Sequence, residues 1–297
     1  PTSTGTRWYE LSVARKEIAH AAPTYIVISR DITQSRAAAA QIEKLALFDP
    51  LTDLPNRRML LERLHESLHQ AQQTHRSVAL MFIDLDNFKT LNDSMRHDVG
   101  DKLLVSVAKR LREATRPGDT VGRLGGDEFV VVLAQMAADS ERAKLDALAR
   151  ADNVLQLLRQ PYDLGDYQHR TTASIGVAVA ERDESSVQEV LKRADIAMYA
   201  AKAAGRNAVR AYSPEMDATL QSRLVLERDL RIAATSGQFV LHYQRQVNAA
   251  GEAIGAEALL RWNHPTRGLI APGEFIAIAE DVGLMPEIGR WVMHSAC

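Results

Sequence analysis

Two kinds of hydrophobic pattern alternate along the middle of this chain, between residues 49 and 212. The run SVALMFID at 77–84 is apolar almost without interruption, which is typical of a strand buried on both faces. The stretch DKLLVSVAKRLREAT at 101–115 instead spaces leucine and valine three and four residues apart, as one face of a helix requires. Strands interleaved with helices in this way predict an α+β fold, with helices packed on a mixed or antiparallel sheet.

The ends of two helices in this region are marked by residues with suitable chemistry. The helix predicted at 141–160 stops before Pro161, because a proline ring interrupts helical hydrogen bonding. At the next helix, Ser186 and Glu189 match a capping box and Gly205 matches a C-terminal cap.

The N-terminal part has a different pattern. Alternating residues at 7–18 and 24–32 predict two strands, which are marginally stable as an isolated pair and need a sheet to join. The segment 33–48 is predicted to be a connecting helix that Thr33 or Ser35 caps. This helix is also a candidate for pairing with its copy in a dimer.

A further set of elements begins at about Leu224. The pattern predicts a helix at 224–237, a strand at 238–247, a strand that leads into 257–262, and a helix that starts near Pro272. The two sets of elements predict two domains, which a chain of 297 residues is long enough to form.

Composition limits the classes of function. Hydrophobic residues make up 46% of the chain and charged residues 25%, as in ordinary soluble proteins. The net charge is −2, so there is no basic excess to hold a nucleic acid. The single cysteine, Cys297, cannot form an internal disulfide, and no apolar run is long enough to span a membrane. We therefore expect a cytoplasmic location, with membrane attachment of the parent protein left open.

The pentapeptide Gly-Gly-Asp-Glu-Phe at 125–129 lies between two apolar runs. Gly125 and Gly126 can adopt the positive φ angles of a tight hairpin turn, which places Asp127 and Glu128 at its tip. Carboxylates held in this way are suitable ligands for a hard divalent cation. The alternative is a solvated hairpin whose acidic residues have no function.

The strand predicted within SVALMFIDLDNF, at 77–88, ends with Asp84 and Asp86, which lie two residues apart and hence on one face if the strand persists. Two acidic residues at the end of an apolar strand are costly unless something pairs with them. A cation held between this strand end and the hairpin tip would satisfy both, with phosphate as a further ligand. The alternative is that Asp84 is only a turn residue.

Six segments occur in the order and spacing of a GGDEF diguanylate cyclase domain, which this region therefore resembles. They are DPLTDLPNRRML at 49–60, FIDLDNFKTLND at 82–93, HDVGD at 97–101, RLGGDEF at 123–129, TASIGVA at 172–178 and YAAKAAGRN at 199–207. The resemblance implies a palm-like, ferredoxin-like sheet related to nucleotidyl cyclases. It also implies that two GTP molecules are joined into cyclic di-GMP by a homodimer.

The resemblance also implies a metal site. Asp84, the carbonyl of Leu85 and Asp127 would hold Mg²⁺ or Mn²⁺. Glu128 would bind a second ion or help to deprotonate the 3′-hydroxyl of GTP.

The nucleotide contacts follow from the same resemblance. Asn92 and Asp101 would bind the guanine edge, and Lys89, Lys202 and Arg206 would contact the triphosphate. Lys202 and Arg206 lie four residues apart at a helix end, so their charges can converge on one phosphate cluster. For Asp101 there is an alternative, because aspartate is also a good N-cap for the helix that follows it.

The segment TRPGD contains Arg116 and Asp119, which match the RxxD inhibitory site of the family, where the product binds. An arginine side chain suits this role because its guanidinium group can bind phosphate or guanine acceptors in a fork. The alternative is an exposed turn before a strand. Arg96 departs from the family pattern, which usually has glycine before the histidine at 97.

Residues 224–297 resemble the beginning of an EAL phosphodiesterase domain, a barrel of the TIM type. The resemblance rests on LERDLRIAATSGQFVLHYQRQV and on EALLRWNHPTRGLIAPGEFIAIAEDVGL. Glu257 would be a metal ligand, and Arg261 and Gln244 would contact substrate; Arg245 replaces the usual proline. We expect this part to be truncated and to hydrolyse nothing alone.

Residues 1–33 resemble the last strands of a PAS sensor domain, although an arbitrary hairpin is the alternative. The expected domains are thus 1–33, a signalling helix at 34–48, the cyclase domain at 49–215 and the EAL part at 224–297. A rival function is a GGDEF module that only senses GTP or cyclic di-GMP and regulates a phosphodiesterase.

His65 and His69 have the helical spacing of zinc ligands. No third ligand lies near them in the sequence, so a solvated helix face is the favoured interpretation.

Overall fold

The computed structural model describes residues 6–16, 24–94, 97–165, 168–180 and 186–297. Its Cα positions group into two compact units, residues 1–212 and residues 213–297. Among the described residues, no helix is long and apolar enough to cross a membrane.

The first unit begins with a two-stranded antiparallel sheet, β1 (Tyr9–Lys16) and β2 (Thr24–Asp31), followed by α1 (Thr33–Leu47). The predicted capping of α1 by Thr33 or Ser35 is wrong, because the N-cap is Ile32 and has no side-chain hydrogen bond. The Thr33 hydroxyl instead accepts a hydrogen bond of 2.8 Å from the backbone of Trp8.

The rest of this unit is an α+β layer structure, as predicted. Its sheet has the strand order β4-β5-β3-β8-β9 among the described residues; every neighbouring pair is antiparallel except β8 and β9. The elements are α2 (Arg57–Thr74), β3 (Ser77–Leu85), α3 (Phe88–Ser94), α4 (His97–Ala114), β4 (Thr120–Gly125), β5 (Glu128–Met136), α5 (Ser140–Leu158), β6 (Tyr162–Asp163), β7 (Gln168–His169), β8 (Ala173–Ala180), α6 (Val187–Ala203) and β9 (Val209–Ala211).

Strand β3 is buried on both faces and separates two apolar cores. Met81 and Ile83 pack in the core that contains residues of α4 and α5, whereas Leu80 and Phe82 pack in the core that contains residues of α2 and α6. Since side chains alternate along a strand, Asp84 continues the α6 side. The fold therefore directs this carboxylate toward the helix that carries Lys202.

Helix α6 packs directly on strand β8 at Gly176. A Cβ atom at this position would lie 2.0 Å from the carbonyl oxygen of Ala194 and 2.1 Å from the amide nitrogen of Met198. Only glycine allows this approach. The helix begins as predicted, with the Ser186 hydroxyl accepting from the Glu189 amide at 3.2 Å.

The second unit contains an antiparallel sheet, in the order β10-β11-β12, and three helices among its described residues. Trp262 and Phe275 are completely buried in its core. Helix α7 begins well before the predicted start at Leu224, because a first turn that contains Glu215 and Asp217 suits a helix N-terminus. The elements are α7 (Glu215–Ser236), β10 (Phe239–Val247), β11 (Ala253–His264), β12 (Gly268–Ile270), α8 (Pro272–Asp281) and α9 (Met285–Ala296).

Candidate active site

The predicted hairpin is present, and β4 and β5 form its arms. Gly125 and Gly126 have φ angles of 150° and 51°, conformations that residues with a side chain rarely adopt. Asp127 lies in the turn and Glu128 begins β5, and both side chains are half-buried. The tip therefore presents two carboxylates on a rigid support.

Asp84 lies directly opposite Glu128 in the register of β3 and β5. Like charges in opposite positions of neighbouring strands destabilise a sheet unless a cation lies between them. Here the ammonium group of Lys202 lies 2.7 Å from Oδ2 of Asp84. The structure thus brings together three of the predicted catalytic residues, one from each of β3, β5 and α6.

Burial and charge raise the pKa values of both acids. Burial raises the pKa of Asp84 to about 6, with a smaller contribution from Asp127 and Glu128, while Lys202 acts in the opposite direction. The pKa of Glu128 is raised by burial and then by the charges of Asp195 and Asp127. Acids with raised pKa values in a cluster are typical of sites that bind cations or transfer protons.

The protein ligands available at this site suit an Mg²⁺ ion that is also bound by phosphate oxygens of the substrate. Within the described ranges, no group of three or more histidine, cysteine or acidic side chains is placed to hold a metal ion by itself. Mg²⁺ usually takes one or two carboxylates, with phosphate oxygens and water as the other ligands. Asp84, Leu85 at the end of β3, Asp127 and Glu128 would be the residues that hold it.

The expectation that one cation satisfies both Asp84 and Asp86 is wrong for Asp86. Its carboxylate accepts hydrogen bonds from the hydroxyl groups of Thr172 and Ser174 and from the backbone N–H of Asn207. Strand β3 ends at Leu85, so the alternation that would place both acids on one face stops before Asp86.

The predicted guanine contacts Asn92 and Asp101 lie on α3 and α4, two helices that meet at Gly100. Oδ1 of Asn92 is buried and has no hydrogen-bond partner among the described residues. A Cβ atom on Gly100 would lie 2.1 Å from this oxygen, so the residue before Asp101 packs against Asn92. The N-cap alternative for Asp101 is wrong, because α4 already begins at His97.

The remaining nucleotide contacts lie at element ends. Lys89 is exposed in the first turn of α3. Arg206 follows the C-terminus of α6 and has a φ of 65°, which is uncommon for a residue with a side chain. Arg96 lies outside the described residues.

Arg116 and Asp119 form a tight turn before β4. The backbone amide of Arg116 donates to Asp119 at 2.9 Å, and the Asp119 carboxylate also pairs with Arg150 of α5. Arg116 and Arg150 line one cavity of about 280 Å³. Sequence reasoning missed Arg150, because no local pattern links it to Asp119.

Sequence reasoning also missed the support of the hairpin tip. The guanidinium group of Arg123 contacts both carboxylate oxygens of Asp49, at 3.0 and 3.1 Å, and donates to the carbonyl of Gly126 at 2.7 Å. Asp49 in turn accepts from the amide and hydroxyl of Thr52. This contact joins the turn after α1 to the hairpin.

In the second unit, Gln244 and Glu257 lie opposite each other in the register of β10 and β11, with exposed side chains. Arg261 lies four residues beyond Glu257 on the same strand and hence on the same face.

In the first unit, His65 and His69 are both exposed on α2, as a solvated helix face requires.

Comparison with known families identifies the family of this chain. The family model described as diguanylate cyclase, GGDEF domain, matches residues 46–208, which is more than half of the chain. The chain belongs to the GGDEF domain family. The family model of the EAL domain matches residues 227–297, after the GGDEF domain.

Known relatives agree with this assignment. The chain is 44% identical over 266 residues to the bifunctional diguanylate cyclase/cyclic di-GMP phosphodiesterase MucR of Pseudomonas aeruginosa, covering 89% of this chain but only 38% of MucR. The solved GGDEF domain of TpbB (YfiN) from Pseudomonas aeruginosa has 38% identity and a TM-score of 0.55, covering 59% of this chain and 99% of that one. The coiled coil and GGDEF domain of DgcB from Caulobacter crescentus, solved with c-di-GMP, has 28% identity and a TM-score of 0.53, covering 61% and 93%.

Proposed function

We propose that residues 49–215 form an active diguanylate cyclase domain, which joins two GTP molecules into cyclic di-GMP and releases two pyrophosphates. The observation that carries the proposal is the position of Asp84 opposite Glu128, with Lys202 within 2.7 Å of Asp84. A protein that only binds nucleotide has no need for a buried carboxylate opposite a half-buried one, because such a pair destabilises a sheet.

The substrate is held at two places. Asn92 offers a buried oxygen without a partner among the described residues, and Asp101 directly follows Gly100, which packs against that oxygen. A guanine edge with its donors is therefore a suitable ligand. Lys89, Lys202 and Arg206 contribute positive charge for the triphosphate.

The chemistry divides between charge stabilisation and proton transfer. When bound, Mg²⁺ or Mn²⁺ supplies positive charge at the phosphate that reacts. Glu128, whose pKa is raised by burial and neighbouring acids, accepts the proton of the 3′-hydroxyl. Lys202 and Arg206 stabilise the negative charge that develops on the pyrophosphate leaving group.

Catalysis requires two copies of the domain. Each domain binds one GTP, and the 3′-hydroxyl of each nucleotide attacks the α-phosphate of the other. Pairing of the domains therefore provides the orientation that a single site lacks. The initial rate rises more steeply than in proportion to protein concentration until the homodimer is saturated.

The turn of Arg116 and Asp119 is proposed as a site where the product inhibits. Asp119 is fixed by Arg150, which leaves the Arg116 guanidinium next to a cavity of about 280 Å³. Apart from Arg116 and Arg150, this cavity is lined mainly by apolar residues, so the two guanidinium groups are the groups suited to the phosphates of cyclic di-GMP.

A second candidate function is regulation, in which the GGDEF domain senses GTP or cyclic di-GMP and controls an EAL phosphodiesterase. The match of residues 227–297 to the EAL family favours it, with Glu257 as metal ligand and Gln244 and Arg261 as substrate contacts. The relative MucR is named as a bifunctional protein, with diguanylate cyclase and cyclic di-GMP phosphodiesterase activities in one chain.

Product analysis separates the two candidates. The chain is incubated with GTP and Mg²⁺, and the products are resolved by liquid chromatography and mass spectrometry, with Glu128→Gln as the inactive variant. The proposal predicts cyclic di-GMP from the wild type and none from the variant. GTP that binds but stays intact would instead support the sensing function.

A further inference from the structure

Asp86 is a buried acid that the proposed chemistry does not use. Its side chain is 5% exposed. Oδ2 accepts from the Thr172 hydroxyl at 2.6 Å and from the Asn207 amide at 2.9 Å, while Oδ1 accepts from the Ser174 hydroxyl at 2.7 Å. Each of these three partners donates a hydrogen bond to the Asp86 carboxylate.

Asn207 is held from the other side by Arg159. The Arg159 side chain donates to Oδ1 of Asn207 at 2.7 Å and to its carbonyl oxygen at 3.0 Å. Asp86, just after β3, therefore fixes the backbone N–H of Asn207. Arg159, at the end of α5, fixes its backbone carbonyl and its side chain.

The two residues after Gly205 have an unusual backbone. Arg206 and Asn207 have φ angles of 65° and 50°, so two consecutive residues with side chains lie in the left-handed region. Such conformations are unfavourable by on the order of 1 kcal/mol each and persist only where the surroundings hold them. The backbone amide of Arg206 donates to the carbonyls of Ala201 and Lys202, and the contacts of Asp86 and Arg159 with Asn207 hold the other side of this turn.

We propose that Asp86 is a positioning residue for Arg206. By fixing the amide of Asn207, it keeps the preceding residue in the conformation that directs the guanidinium group toward the triphosphate. This inference rests on the proposed function in one respect, namely that Arg206 contacts GTP. It assigns Asp86 to phosphate recognition through the backbone, although its place two residues after Asp84 suggests a metal ligand.

The test measures GTP affinity of the whole chain by calorimetry in EDTA, so that neither turnover nor a divalent cation contributes. In Asp86→Asn, one carboxylate oxygen becomes an NH₂ group that faces donors. The variant is expected to bind GTP about tenfold more weakly, as for loss of one charge-assisted contact. In an Arg206→Ala background, the same change should have less than about a twofold effect, because the residue through which it acts is gone.

Arg159→Ala gives a second route if Asp86→Asn fails to fold. Arg159 is partly exposed, and its loss frees the side chain and carbonyl of Asn207 without touching Asp86. It should weaken GTP binding about three- to tenfold, again only while Arg206 is present.

The results separate the inference from the proposed function. Equal losses with and without Arg206 would overturn the positioning role. If Arg206→Ala leaves GTP affinity unchanged, the assignment of Arg206 is wrong and the inference falls with it. If the wild type binds GTP neither in EDTA nor with Mg²⁺, the proposed function itself fails.

Discussion

The ammonium group of Lys202 lies 2.7 Å from a carboxylate oxygen of Asp84, the predicted metal ligand at the end of β3. The cation that we propose for the triphosphate therefore pairs with the carboxylate that we propose as a metal ligand. In the proposed mechanism, a divalent ion and Lys202 would compete for this carboxylate, and the phosphates of GTP would give Lys202 another partner.

Lys202→Met should bind Mn²⁺ more tightly in the absence of nucleotide. Removing one positive charge at about 4 Å favours a divalent ion by on the order of 1 kcal/mol or more, hence about fivefold or more in affinity. GTP affinity should fall in the same variant. Lys192→Met, an exposed lysine on the same helix, is the matched control. Calorimetry that shows unchanged Mn²⁺ affinity would contradict the competition.

Asp84→Asn should stabilise the chain at neutral pH in EDTA. The folded pKa of Asp84 is about 6, against 3.8 for the ordinary group, so the folded state binds the proton more readily than the unfolded state. The free energy of unfolding therefore falls as pH rises from about 4 to 6 and stays low above that. We expect the variant to be more stable by about 1–3 kcal/mol at pH 7.5.

The difference in free energy of unfolding between Asp84→Asn and the wild type should become small toward pH 4, where the wild-type carboxyl is also neutral. Denaturant unfolding at both pH values, followed by circular dichroism, measures it. A variant that is less stable than the wild type at pH 7.5 would show that the ion pair with Lys202 outweighs the cost of burial.

Local patterns were sufficient for the elements that carry the site. An apolar run predicted β3, and two glycines before two acids predicted the hairpin, because both signals lie within a few residues. The ion pairs that hold the hairpin tip and the turn before β4 in place were not predictable in this way. Arg123 and Asp49 are 74 positions apart in the sequence, and Arg150 and Asp119 are 31 apart. Only the folded sheet brings such partners together, and the same is true of Asp86 and Asn207.

Gly100→Ala should weaken recognition of guanine. Its Cβ would overlap Oδ1 of Asn92, so this side chain must move, even though alanine is the better helix former by about 1 kcal/mol. We expect KM for GTP to rise about tenfold, with a smaller change in kcat. Gly289→Ala, on a helix with open space around it, is the control. An unchanged KM would remove Asn92 from the guanine site.

Arg150→Ala and Arg116→Ala should both relieve product inhibition. Arg116 faces the cavity, and Arg150 pairs with Asp119 and fixes the turn. We expect cyclic di-GMP to bind at least about tenfold more weakly, as for loss of a charge-assisted contact, while the initial rate is unchanged. Arg142→Ala, exposed on the same helix, is the control. Equal product affinity in all four proteins, measured by calorimetry, would exclude the inhibitory site.

In the proposed mechanism, carboxylates of β3 and of the hairpin tip hold the cation for GTP condensation. The most direct measurement is the initial rate of cyclic di-GMP formation, with Mg²⁺, for Asp84→Asn and Asp127→Asn. Asp139→Asn is the matched control, because it makes the same change at an exposed helix cap where asparagine serves equally well. We predict that the control keeps the wild-type rate and that both site variants lose product formation. A rate above about a tenth of wild type in either site variant, equivalent to only ~1.4 kcal/mol of barrier, would contradict the role of that carboxylate.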